Sequence, residues 1–122
     1  MQSIPWNEGL FIGGDFNSHI GSRGEGYETV HGGLGYEVRN SGGVSLLDFA
    51  VAYELSIVNS YFRKRDEHLV TFKSGSARMQ IDYFLVRANS RRQCKDCKVF
   101  SSECLATQHM LLVLDVKIRG AR

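Results

Sequence analysis

The stretch Ile12-Gly13-Gly14-Asp15-Phe16-Asn17 decides how this chain is read. The apolar run Leu10-Phe11-Ile12 reads as a buried strand. It stops at two glycines and delivers an Asp and an Asn two positions apart. In extended chain, side chains alternate between faces, so Asp15 and Asn17 would point one way and Phe16 back into the core. Paired glycines let the backbone approach a ligand closely. A carboxylate beside an amide at a strand end suits a metal, a water or a phosphate. Ordinary turn chemistry competes, with Asp15 or Asn17 bonding its own backbone.

Working outward, residues 18–43 hold eight of the 13 glycines and show no apolar period. They read as a long loop, and loops of that length inside a compact domain are usually functional or partly mobile. Tyr27, His31 and Tyr36 stand in it, either to reach a ligand or as surface decoration. Asn40 and Ser41 are helix-capping candidates. Apolar residues at helical spacing predict a helix over 43–54, with a wide stripe that packs on a sheet. Strands are predicted over 56–62, 69–72 and 80–86, a short one over 98–100, and a last one over 110–118. Polar residues at 63–68, 74–76 and 88–95 read as connections. The fold class is α/β, mostly antiparallel, with one main helix.

The chain has 122 residues, 43% hydrophobic content and a formal charge of +2. That length suits a single domain, since domains run to roughly 100–200 residues. So small a net charge does not by itself imply a nucleic-acid partner. The cations are clustered, however: Arg63-Lys64-Arg65, and Arg91-Arg92 with Lys95 and Lys98. Such clusters suit phosphates or a solvated surface. No apolar run approaches the roughly 18 residues of a membrane span, and no signal-peptide pattern is seen. Cys94, Cys97 and Cys104 read as reduced thiols of a nuclear or cytoplasmic protein. With His109 they superficially resemble a zinc knuckle, although the spacing fits no standard ligand set.

Polar residues recur where strands meet loops: Asp15 and Asn17, Asp82, and Gln108-His109. Asp82 stands in an apolar strand, and a buried carboxylate needs a partner. His109 is a candidate, in a structural pair or in a functional one where the carboxylate orients the ring and raises its basicity.

The order GGDFN, TFxSG, QIDYFLV and TQH followed by LLVLD resembles the C-terminal half of the endonuclease/exonuclease/phosphatase superfamily, the deoxyribonuclease I-like α/β sandwich. It is most similar to endonucleases of LINE-type retrotransposons and to craniofacial development protein 2-like sequences derived from them. GYETVHGG, VRNSGG, LLDFAVAYELSIVNSYF and CKDCKVFSSECLATQH carry that likeness, which covers nearly the whole chain. The resemblance implies metal-dependent phosphodiester hydrolysis on DNA with Mg²⁺ or Mn²⁺. Asp15 would orient or deprotonate the attacking water, and Asn17 would bind the scissile phosphate. His109 would stabilise the phosphorane, with Asp82 holding its ring. Arg63, Lys64, Arg65, Lys73 and Arg78 would contact backbone phosphates, with Thr71 and residues 74–79 near the DNA-facing rim.

Two departures accompany the resemblance. Gln108 stands where the family has an acid, which weakens a metal site built on Asp15 and position 108. The family's N-terminal half, with its metal-binding Glu, has no counterpart, and Glu8, Glu25 and Glu28 are in no equivalent context. Residues 1–122 are therefore expected to form one partial domain with weak or lost activity. An uncovered sheet face would favour a homodimer or other self-association. The alternative is a non-catalytic interaction or nucleic-acid-binding module that keeps the fold.

Overall fold

The computed structural model describes residues 11–100, 108–109 and 111–116; the side chains of Phe100, Gln108, His109 and Leu111 are outside that description. The fold is mixed α/β, with every strand pairing antiparallel and one main helix, as the sequence pattern predicts. Three small sheets form: β1 (Phe11–Asp15), β5 (Asp82–Arg87) and β2 (Leu55–Ile57) in the order β1-β5-β2; β4 (Ala77–Met79), β3 (Phe72–Ser74) and β7 (Gln108–His109) in the order β4-β3-β7; and β6 (Cys94–Phe100) with β8 (Leu111–Val116).

β5 is the central strand of the first sheet, and its unbroken apolar run Tyr83-Phe84-Leu85-Val86 suits a strand covered on both faces. Tyr83, Leu85 and Val86 are fully buried. β1, predicted to be buried, is largely exposed, with Phe11 at 46%. It lies at a sheet edge, and its glycines bury little area. Gly13 faces Phe84 across the ladder, and a Cβ there would meet the Phe84 ring at 2.6 Å. A larger residue there would have to push the Phe84 ring aside.

Helix α1 (Ser41–Ala52) is capped by Asn40, whose Oδ1 accepts from Gly43 N at 2.8 Å and from His19 N at 3.0 Å. The same amide thus starts the helix and fastens the preceding loop. Gly43, Leu46, Leu47 and Ala50 are buried, a single helical stripe. The stripe is narrower than predicted, since Val44 and Val51 are exposed. A Cβ on Gly43 would collide with the His19 carbonyl, so glycine lets the helix start lie against the loop backbone.

The predicted strand over 56–62 is shorter. The chain leaves the ladder after Ile57 and forms a 3-10 turn, Val58–Tyr61. Asn59, only 3% exposed, replaces the lost strand with its side chain. Its Oδ1 accepts from Phe84 N at 3.0 Å, and its Nδ2 donates to the Asp82 carbonyl at 3.2 Å. Leu69, Val70 and Thr71 are buried but precede the ladder, which begins at Phe72. β6 is longer than predicted. A register shift between Cys94 and Asp96 brings both Cys94 and Cys97 inward, which regular alternation over three residues would forbid. Both pack near Val58 and Val86, and burial pushes the Cys97 thiol up to about 12. Cys104, the other thiol of the knuckle-like spacing, lies outside the described residues.

The glycine-rich segment has no regular structure, as predicted, but its anchors are buried. Ile20, Val30 and His31 are each 2% exposed or less. Arg39 gathers the loop: its guanidinium donates to the carbonyls of Ile20, Arg23 and Glu25 and stacks on Tyr27, whose hydroxyl donates to Asp48 on α1. His31 Nδ1 accepts from Gly33 N at 2.8 Å, so Nε2 carries the proton and donates to the Gly21 carbonyl at 3.0 Å. His31 is therefore a loop clasp, neither surface decoration nor a ligand-reaching group. The Tyr83 hydroxyl lies 2.7 Å from the Gln80 carbonyl and 2.8 Å from the Ser18 carbonyl, and it accepts from Ile20 N at 3.3 Å.

Replacing Tyr83 by Phe leaves a buried N–H and two carbonyls without this partner. The expected cost is about 1–3 kcal/mol in denaturant unfolding. Burial, with some repulsion from Arg39, lowers the His31 pKa. The folded pKa thus lies below the unfolded one. The neutral ring stabilises the fold above about pH 6.5, and that stability is lost as pH falls below it. Urea unfolding at stepped pH should show the loss, with a flatter profile for His31→Gln.

Candidate functional site

The register of β1 on β5 sets Asp15 directly opposite Asp82. Two carboxylates contributed by distant parts of the chain therefore occupy facing positions at one end of the sheet. Like charges so placed repel unless something positive joins them. The strand ends at Asp15, and Phe16 N closes it on the Ile81 carbonyl at 2.8 Å. Phe16 turns inward and packs on the core, 6.4 Å from the Tyr83 ring.

Asn17 does not continue the extended chain. Asp15 Oδ1 accepts from Asn17 N at 2.8 Å, and Asn17 has φ 47°. The turn reading of this stretch is therefore correct locally, and the expected same-face alternation of Asp15 and Asn17 is not. An Asx turn fixes the Asp15 carboxylate and leaves the Asn17 side chain exposed. Turn chemistry and a site role are compatible here.

Thr71 ties the second sheet to this end of β5. Its buried hydroxyl accepts from Ile81 N at 2.9 Å and Asp82 N at 3.0 Å, while Thr71 N donates to the Met79 carbonyl. Asn59 holds the Asp82 carbonyl from the other side. Sequence reading placed Thr71 near a rim but missed Asn59; its only signal was an amide inside an apolar run.

Across the second sheet, Lys73 pairs with Arg78 on one side and with Gln108 on the other. Phe72, next to Thr71, pairs with His109. The backbone of His109 is thus one residue from the threonine that holds Asp82. The Gln108 and His109 side chains, and with them the expected imidazole–Asp82 contact, lie outside the described residues. Lys73 and Arg78 are cations in facing positions. Arg78 folds onto the turn, donating to the carbonyls of Gly75 and Ala77 at 3.0 and 3.1 Å.

The other predicted cations behave differently. Lys64 Nζ lies 2.7 Å from Asp96 Oδ1, and that bond lowers the Asp96 pKa. Lys64 is thus engaged with β6, and Arg63 and Arg65 beside it are exposed. The register thus sets Asp15 opposite Asp82, with Asn17 in the turn that follows, and Lys73 opposite Arg78 in the second sheet, whereas Lys64 is bonded to β6.

Thr71→Val keeps the shape but removes the acceptor from two amides at the Asp82 turn. An expected loss of about 1–3 kcal/mol is read by urea unfolding, and Thr71→Ser should recover most of it.

Comparison with known proteins gives a weak likeness along the whole chain. It is 29% identical over 121 residues to craniofacial development protein 2 of Tragulus javanicus, and 28% identical over 121 residues to that of Bos taurus. Each alignment covers 98% of this chain but only 21% and 20% of those proteins, so the chain spans about a fifth of the length of the relatives it matches. No family model matches, and no solved structure matches.

Proposed function

We propose that this chain carries the phosphate-facing rim of a metal-dependent phosphodiesterase acting on DNA, as in the endonuclease/exonuclease/phosphatase superfamily its motifs resemble. One observation carries the reading. Asp15 faces Asp82, and Lys73, two residues along from the Thr71 that holds the Asp82 amide, faces Arg78. A divalent cation suits the facing carboxylates, and a phosphate suits the facing cations, since each would be shared by two side chains of the opposite charge.

The donor set fits a hard cation. Mg²⁺ is commonly held by one or two carboxylates and completed by waters and phosphate oxygens. Asp15, facing Asp82, would hold it, with the amide of Gln108 a weak further ligand. Bound there, the ion supplies electrophilic polarisation of a phosphoryl oxygen. The residues supply the rest. Asp15, oriented by its Asx turn, accepts the proton of an attacking water. Asn17, exposed at the turn, donates to a phosphoryl oxygen. Lys73 and Arg78 position the flanking phosphates. His109, carried by β7, donates to the oxygens where charge develops.

Gln108, in place of an acid, favours a second reading: a domain that retains nucleic-acid contacts without turnover. Nicking of supercoiled plasmid with Mg²⁺ separates the two. The hydrolytic reading expects slow nicking that falls by about 10²-fold or more in His109→Ala. Nicking unchanged in that variant marks a contaminant. A folded protein that never nicks supports the second reading.

A further inference from the structure

The two cation clusters lie apart in the sequence but side by side in the fold. Three contacts join residues 61–68 to residues 91–99 in register. Arg91 stacks on Tyr61 with its guanidinium carbon 4.5 Å from the ring centroid. Lys64 bonds Asp96 at 2.7 Å. His68 Nδ1 meets the Val99 carbonyl at 2.9 Å. Between these rungs Arg63, Arg65, Arg92 and Lys95 are exposed. The two segments hold seven cations and three acids, a net of +4 against +2 for the whole chain. The acids are Asp96, bonded to Lys64, and Asp66 and Glu67 at the His68 end, with Glu67 3.5 Å from His68 Nε2. The Arg91 end is therefore the cationic one. This face continues from β2, one edge of the first sheet, whereas Asp15 stands on β1, the other edge, with β5 between.

We infer that this face is a second nucleic-acid contact, a phosphate-backbone track formed by Arg63, Arg65, Arg92 and Lys95 and separate from the Asp15–Asp82 rim. The inference goes beyond the hydrolytic proposal and holds whether or not the rim turns over. Three of the four groups are guanidiniums, whose planar fork matches phosphate oxygens. Among the described residues, the large exposed hydrophobics, Phe11, Val38, Val44, Val51 and Tyr53, lie on other segments. A membrane surface, which takes apolar insertion along with cations, is a poorer match. The Lys64–Asp96 bond neutralises the acid between the rows, so the backbone meets positive groups on both sides.

Anisotropy of a short fluorescein-labelled duplex, titrated in EDTA across a salt series, tests this. Arg92→Gln with Lys95→Gln should weaken binding about tenfold and reduce the slope of log K against log salt by about 2. Arg23→Gln, in the glycine loop, should leave binding unchanged. The inference is overturned if the double variant binds as the parent does, or if Arg23→Gln weakens binding equally. It is also overturned if only Lys73→Gln with Arg78→Gln weakens binding, or if polyglutamate or anionic vesicles compete as well as unlabelled duplex.

Discussion

The Tyr83 phenol is the junction on which this structure depends. Its ring is buried in β5, and its hydroxyl meets the chain at Ser18, Ile20 and Gln80. Those positions are the exit from β1, the entry to the glycine-rich loop and the approach to β5. A single hydroxyl thus locks the two strands that bring Asp15 and Asp82 together. Burial raises its pKa strongly, so it remains a neutral donor and acceptor at any physiological pH.

Around that junction, side chains substitute for backbone pairing. Asn59 completes the β5 ladder where β2 ends, and Thr71 receives two amides where β5 begins. Buried polar groups must be satisfied, and short strands leave many that other strands cannot reach. The glycine loop follows the same rule, with Arg39 and His31 meeting its carbonyls and amides. The result is a loop without regular structure that is nonetheless tightly bonded. Ser18, whose hydroxyl donates to the Phe16 carbonyl and whose carbonyl accepts from Tyr83, joins the loop to the Asp15–Asn17 turn.

Some of this was legible in the residues. The helix was readable from Asn40 and the Leu46, Leu47, Ala50 spacing, because cap chemistry and the 3.6-residue period are local. β5 was readable from its β-branched and aromatic run. β6 was mostly hidden. Its polar residues Lys95, Asp96 and Lys98 follow no alternation, because the shift at Cys94/Asp96 breaks the period that would betray a strand. The 56–62 segment misled because its apolar residues stay buried after the chain has left the ladder. At Asn17 a two-residue Asx bond overrode the extended alternation.

The sequence by itself determined the element types, the helix cap, the polar outcrops and the uneven distribution of cations. These follow from propensities and spacings a few residues long. Only the tertiary structure decided that Asp15 faces Asp82, that Lys73 faces Arg78, and that the chain around 61–68 lies beside the chain around 91–99. Register between distant strands is set by which side chains pack and which amides find acceptors. That information belongs to the folded whole, and no local window of the chain contains it.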